Sequence, residues 1–396
     1  MGKPMTHYHN FIHPLVGTND LTCGYLVEQN LLGKTSPAIG DSVQALPIAE
    51  NILAHDLFST FDQRHPWLIA SSQLGSGHSD QIIPVFSGIE GEASSLETEL
   101  RLAKRRLAIE ASATEKLPAS GSWDYLILTI GHARTQPPFA LTGIASRTQI
   151  VTTGVHGHSD HQWAVSNGCA LSTGEYLLAR QQGGKKADTT RQRMLRLLSL
   201  VAQDADTKEL ETIFRQETKL AYSLLRLVNS AAIAPRTPIT SFIQAINLLG
   251  RRQLERWLQL LIYADPDNGH LPNPLLYKAA VRGRMMELLL PHLNRGSDTG
   301  LTGDAAFMTG CFSLLDALLN LSMSDILMQL PLPKQINDIL LQYSGEAGQL
   351  LLALKATDMR NLPEAERHLQ ELGVHPDCFI DAQMRALHWA AGIQQL

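Results

Sequence analysis

What this chain has little of sets its first limits. Its 396 residues hold only four cysteines, Cys23, Cys169, Cys311 and Cys378, and no two stand in CxxC spacing. That spacing argues against a structural zinc site and against a disulfide framework, and leaves four free thiols. Excess charge is also lacking. A formal net charge of −5 gives no bulk attraction to nucleic acid or to an anionic membrane. No apolar run reaches the roughly 18 residues that a bilayer-spanning helix needs, because Arg, Glu and Asp interrupt the Leu-rich stretches. The first thirty residues are polar and carry histidines. They lack a basic run followed by an apolar core, so no secretory leader is expected and a cytoplasmic location is. What remains, 44% hydrophobic and 18% charged residues, is the composition of a globular protein long enough for two domains.

The texture changes near residue 183. Before it, strand-like runs alternate with helical ones. Ile82–Phe86, Tyr125–Ile130 and Gln149–Thr153 read as strands, Tyr176–Leu178 as a last one, Glu97–Ala113 as a helix and Trp163–Asn167 as a short helix. Strand alternating with helix predicts a parallel α/β architecture. The polar, glycine-bearing Gln181–Asp188 reads as a linker. Beyond it helices are expected over 194–202, 208–229, 241–264, 275–293, 304–321, 332–343, 345–357, 363–372 and 378–392, and a helical bundle with them. The domains are therefore expected at 1–183 and 191–396, with 184–190 joining them.

The richest stretch lies at the start of the helical half. Leu224, Leu225, Leu227 and Val228 form one apolar stripe. Pro235 and Pro238 stop that helix, and Thr240 or Ser241 can cap the next. Ile243, Ile246, Leu248 and Leu249 give the second helix its apolar face, and Gly250 ends it or lets another backbone approach. Leu225-Arg226-Leu227-Val228-Asn229-Ser230-Ala231, with Ala245–Gly250, resembles the core of the HDOD domain, a helical output domain related to HD phosphohydrolases. Ala305–Leu319, Met323–Leu327 and Leu330–Pro333 look like the rest of HDOD domains that accompany EAL-type domains. HD hydrolases hold a metal on an adjacent His-Asp pair. The corresponding positions here are Ser313 and Leu314, with Asp316 nearby, so the resemblance implies no hydrolysis at that place.

The first half is similar in pattern and order to the EAL family, cyclic-di-GMP phosphodiesterases built on a modified (β/α)8 barrel. The similar runs are Phe11–Val16 with Gly24–Val27, Arg105–Glu110, Asp124–Thr129, Val151–Val155 and Asn167–Gly174. The fold this implies is α+β multidomain: a trimmed, irregular EAL-type (β/α) barrel followed by an all-α HDOD bundle. The departures fall where that family holds two divalent metals. The ligand positions carry Leu26, Ala70, Ser87, Glu110, Ala111, Ile127, Thr129 and Thr153, and one carboxylate cannot hold two metals. The expectation is a chain that is not an enzyme, with no catalytic residue and no cofactor. It would regulate through protein partners of a signalling pathway, with a homodimer as one form, no nucleic acid and no membrane insertion.

Two other classes stay in view. His156-Gly157-His158-Ser159-Asp160-His161 spells HxHxDH, the zinc motif of metallo-β-lactamase-fold hydrolases, and makes His156, His158, Asp160 and His161 candidate ligands. Against it, the next histidine is His270, and the motif reads as well as a strand end followed by a helix start. The other class is a cyclic-di-GMP sensor that binds without turnover. Arg251, Arg252 and Arg256, with Trp257 beside them, are a candidate docking patch. Arg282, Arg284 and Glu287 read as helix-surface ion pairs, and Arg191, Arg193 and Arg196 as a basic entry to the bundle.

Overall fold

The computed structural model describes residues 8–29, 47–76, 79–88, 94–112, 116–137, 139–179, isolated positions between 199 and 263, and then 274–293, 300–330 and 332–394. The helices expected over 194–202, 208–229 and 241–264, the linker and the Arg191, Arg193 and Arg196 cluster lie outside the described residues, apart from those isolated positions. Two compact units emerge. The first is Met1–Ala179 together with Ala356–Glu366, and the second is Arg180–Lys355 with Arg367–Leu396. The expected division at 183 thus lacks one part of the first unit, an eleven-residue return from far along the chain.

The first unit is a closed barrel of eight strands in sequence order. They are β1 (Asn10–Gly17), β2 (Thr22–Gln29), β3 (Trp67–Ala70), β4 (Ile82–Ser87), β5 (Ala108–Glu110), β6 (Tyr125–Thr129), β7 (Gln149–Thr153) and β8 (Leu171–Ser172). β1 runs antiparallel to both β2 and β8, and β2 through β8 are parallel neighbours. Alternate residues fill the interior, among them Leu15, Leu26, Leu68, Val85, Ala108, Ile127 and Val151. A barrel of eight strands is a packed core rather than a pore.

The trimming is in the crossovers, not in the strand count. β2 and β3 are joined through α1 (Ile48–Ala54) and a 3-10 turn, β3 and β4 through a single 3-10 turn at Ser71–Gln73, and β4 and β5 through α2 (Ser95–Leu102). Between β6 and β7 come α3 (Ile130–Thr135) and α4 (Ala140–Ala145), and between β7 and β8 α5 (His158–Ser166). Beside β2 and β3 an aromatic cluster shields the barrel. Trp67 lies 4.3 Å from Tyr25 and meets Phe61 edge-on at 5.3 Å, centroid to centroid. The Trp67 indole N–H is buried without a hydrogen-bond partner. Trp67→Phe removes that donor along with some ring area, so it is expected to cost no more than about 1 kcal/mol in a denaturant titration.

Two expectations are corrected here. The helix expected over Glu97–Ala113 ends at Leu102, because Lys104 takes a left-handed φ of 55° and the chain then enters β5. Tyr176–Leu178 is a 3-10 turn rather than a strand, launched by Gly174 at φ 75°.

The described part of the second unit is helical: α6 (Pro274–Leu289), α7 (Gly303–Phe312), α8 (Leu315–Leu319), α9 (Met323–Gln329), α10 (Lys334–Gln342), α11 (Gly345–Asp358), α12 (Leu362–Glu371) and α13 (Pro376–Gln394). The last turn of α11 and the first of α12 lie in the return that belongs to the first unit. The helix expected over 304–321 is broken at Ser313 and Leu314, and Asn320 ends its second piece in a left-handed conformation at φ 54°. α6 and α7 cross where glycine faces glycine: a Cβ on Gly310 would stand 2.7 Å from the Gly283 Cα. Among the described residues no single helix is long and apolar enough to cross a membrane.

Candidate functional site at the barrel mouth

In parallel barrels the C-terminal ends of the strands carry the chemistry. In this barrel, residues two beyond the interior side chains reach that end on the same strand face: Glu28, Ala70, Ser87, Glu110, Thr129 and Thr153. Leu26 and Ile127, expected at ligand positions, are instead buried in the core. Ala111 is buried too, and Thr153 is buried at the rim. Ala70, Ser87, Glu110 and Thr129 are exposed.

The return contributes Arg360. Its Nε and Nη2 donate to the two oxygens of Glu28 at 2.8 and 2.7 Å, a bidentate fork. Its Nη1 lies 3.7 Å from Oε1 of Glu175, which is buried just after β8. Glu175 in turn accepts from the Thr173 hydroxyl at 2.7 Å. His13, buried on β1, places its Nε2 3.4 Å from Glu28. A second tie holds the far end of the return: Glu366 accepts from the His9 backbone N–H at 3.1 Å and lies 3.0 Å from its Nδ1.

The electrostatics follow from these positions. Burial works to raise the Glu28 carboxyl, but hydrogen bonding and charge from Arg360, with a smaller share from His13, outweigh it and hold the group below its ordinary range. Glu110 is shifted the other way. Desolvation against the barrel wall, then the Glu28 charge, push it up, and Arg360 offsets only part of this. Burial works against the charge of Arg360, yet Glu28, Glu175 and Glu110 together raise its pKa further.

The two divalent metals implied by the EAL resemblance do not fit these side chains as placed. Among the described residues no group of three or more His, Cys, Asp or Glu is arranged to hold a metal ion. Both Glu28 oxygens are taken by a guanidinium that already supplies the positive charge.

The HxHxDH segment is not assembled into one site. His158 opens α5 and its Nε2 lies 3.3 Å from the Ala179 carbonyl. Asp160 pairs with Arg134 at 2.6 Å. His161 stacks on Tyr176 at 3.9 Å, and desolvation lowers its pKa. His156 lies before the helix, exposed. His158 also meets the Tyr176 ring edge-on at 5.7 Å, so the two histidines flank one tyrosine while Asp160 turns to Arg134, because α5 starts inside the motif and fans its residues around a helix.

Arg256 is corrected as a docking residue. Its guanidinium donates to Asp304 at 2.6 Å and to Glu287, and lies over the Phe307 ring at 5.3 Å, all inside the second unit. Arg251, Arg252 and Trp257 lie outside the described residues. Arg284 pairs with Glu287 as expected, but Arg282 is buried and donates to the Ser313 hydroxyl at 2.9 Å. Ser313 and Leu314 are both buried, and Ser313 passes its own hydrogen to the Gly310 carbonyl at 2.7 Å. Asp316 accepts from the Ala317 backbone N–H at 2.9 Å. All four cysteines are free, Cys169 and Cys311 buried and Cys23 and Cys378 partly so. Burial raises the Cys169 thiol to about 12, so it is no nucleophile at neutral pH.

A closed barrel with an acidic mouth followed by a helical unit is the class that fold and site define. An HDOD domain is present at residues 187–264. Over 193 residues the chain is 28% identical to the cyclic di-GMP phosphodiesterase CdgJ of Vibrio cholerae, an alignment covering 49% of this chain and 44% of that relative. Over 167 residues it is 27% identical to the uncharacterized protein YuxH of Bacillus subtilis, covering 42% of this chain and 40% of that one. The alignments thus span less than half the length of these curated relatives. No solved structure matches the chain. The name of the Vibrio relative corrects the expectation that this chain is not an enzyme: that expectation rested on missing carboxylates at aligned positions, and a relative sharing about half the chain is named for catalysis.

Proposed function

We propose that the chain works in cyclic-di-GMP signalling, that its barrel is of EAL type, and that it acts on the dinucleotide at the mouth bearing Glu28, Glu110 and Arg360. The observation that carries this reading is the joining of a closed barrel with one reversed strand to an HDOD-bearing helical unit. The relative named a cyclic di-GMP phosphodiesterase adds to it. Glu110 is the pivotal side chain, since it is exposed at the mouth and its raised pKa suits it to hold or accept a proton. The helical unit is assigned to contact with a protein partner.

The test uses the full chain with cyclic di-GMP in buffers containing Mg2+ or Mn2+, reading binding by calorimetry and the linear dinucleotide by chromatography. Binding or conversion is expected, with Glu110→Gln lowering the turnover or the affinity about ten-fold or more. No heat and no product at millimolar dinucleotide, in the unaltered chain and in Arg360→Ala alike, would remove the reading.

A further inference from the structure

Arg360 sits where a loose surface residue would not. Its φ is 54°, a left-handed conformation that strains a residue with a Cβ and that glycine adopts freely. The turn is fixed by its own backbone bonds, the Arg360 N–H donating to the Thr357 carbonyl and the Asn361 N–H to the Ala356 carbonyl. This strained turn aims the guanidinium at Glu28, with Glu175 3.7 Å away. Beyond it, Glu366 is clasped by His9. An eleven-residue return is thus tied to the barrel by the Arg360 guanidinium near its middle and by the His9 contacts to Glu366 at its far end, and its only guanidinium occupies the acidic mouth.

We propose that Ala356–Glu366 is an autoinhibitory plug. Arg360 serves as a resident cation for Glu28 and Glu175, and those carboxylates become available to an external cation or ligand only when the return withdraws. The inference rests on the reading of the mouth as the ligand-facing end, and it adds the regulation of that end. It also accounts for a relative named as an enzyme beside a mouth whose carboxylates are already engaged.

The experiment is carboxyl labelling of the full chain with a water-soluble carbodiimide and glycine ethyl ester, read residue by residue by mass spectrometry. In the unaltered chain Glu110, exposed at the mouth, is expected to label while Glu28 and Glu175 are protected. In Arg360→Ala, labelling of Glu28 and Glu175 is expected to rise about ten-fold, with Glu110 little changed. Methylguanidinium chloride at about 50 mM should bring the protection back by mass action. Unchanged labelling of Glu28 and Glu175 in folded Arg360→Ala would overturn the plug. If Arg360→Ala unfolds, so that Glu97, shielded in its pair with Arg101, labels as well, Arg360→Lys decides. It keeps the charge without the fork, and raised labelling of Glu28 supports the plug while unchanged labelling overturns it. The label reports the seating of the return without any dinucleotide, so a chain that ignores cyclic di-GMP would still show whether the plug exists.

Discussion

Arg360→Met is expected to destabilise the first unit by about 3 kcal/mol at pH 7, and the loss should shrink as the pH falls. Methionine keeps much of the volume and none of the charge. It leaves Glu28, a largely buried carboxylate, facing Glu110 and Glu175, with His13 the remaining positive influence on it among the described residues. Breaking one partner of a buried pair costs several times what an exposed pair contributes. The sign of the pH dependence follows from the shifts. In the unaltered chain Glu28 is held below its ordinary value, so its contribution is present above the unfolded pKa of about 4.3 and is lost as the pH falls through the folded value. In the variant the guanidinium is gone and burial dominates, so Glu28 rises above its unfolded value. A carboxyl raised in the folded state destabilises when it ionises, and protonation relieves the penalty. Glu110, already raised and partly offset by Arg360, moves the same way. The gap between the two proteins, measured by urea unfolding from pH 8 to pH 4, should therefore be widest above pH 7 and close below about pH 5. A gap of constant size across that range would mean that Arg360 acts through packing alone.

The barrel was partly legible because its strands are continuous apolar runs bounded by turns. Ile82–Phe86, Tyr125–Ile130 and Gln149–Thr153 each read as strands and lie in β4, β6 and β7, except that Ile130 opens α3. Where charged residues kept a helix-like spacing through Arg101–Arg106, the pattern hid the stop at Lys104, since a left-handed lysine has no composition signal. Glu28 was within reach of the sequence. It stands two residues after Leu26, so the period of a strand puts both on one face. The aligned family position, Leu26, is instead a core residue. Arg360 was not within reach. It lies 332 positions from Glu28, in a short polar break between two helical patterns, and only the folded chain brings that break to the barrel. The HxHxDH string shows the converse: an unusually specific spelling that the local start of a helix disperses.

Gly310→Ala should destabilise the second unit by about 3 kcal/mol, at the upper end of what overpacking usually costs. The added methyl would stand 2.7 Å from both the Gly283 Cα and the Arg282 carbonyl oxygen. Both are backbone atoms of α6, so no side-chain rotation can relieve the clash and the two helices must separate. Separation would also disturb the buried hydrogen bonds that join α6 and α7, from Arg282 to Ser313 and from the Cys311 thiol to the Ala279 carbonyl at 3.4 Å. Gly143→Ala is the matched control of opposite sign. It lies inside α4, and the place its added methyl would take has nothing within 4 Å. Alanine there should raise the stability of the first unit by up to about 1 kcal/mol through helix propensity and a less flexible unfolded chain. Thermal unfolding that resolves two transitions should show Gly310→Ala lowering one and Gly143→Ala raising the other. Equal small effects from both would mean that α6 and α7 are not packed backbone to backbone at this crossing.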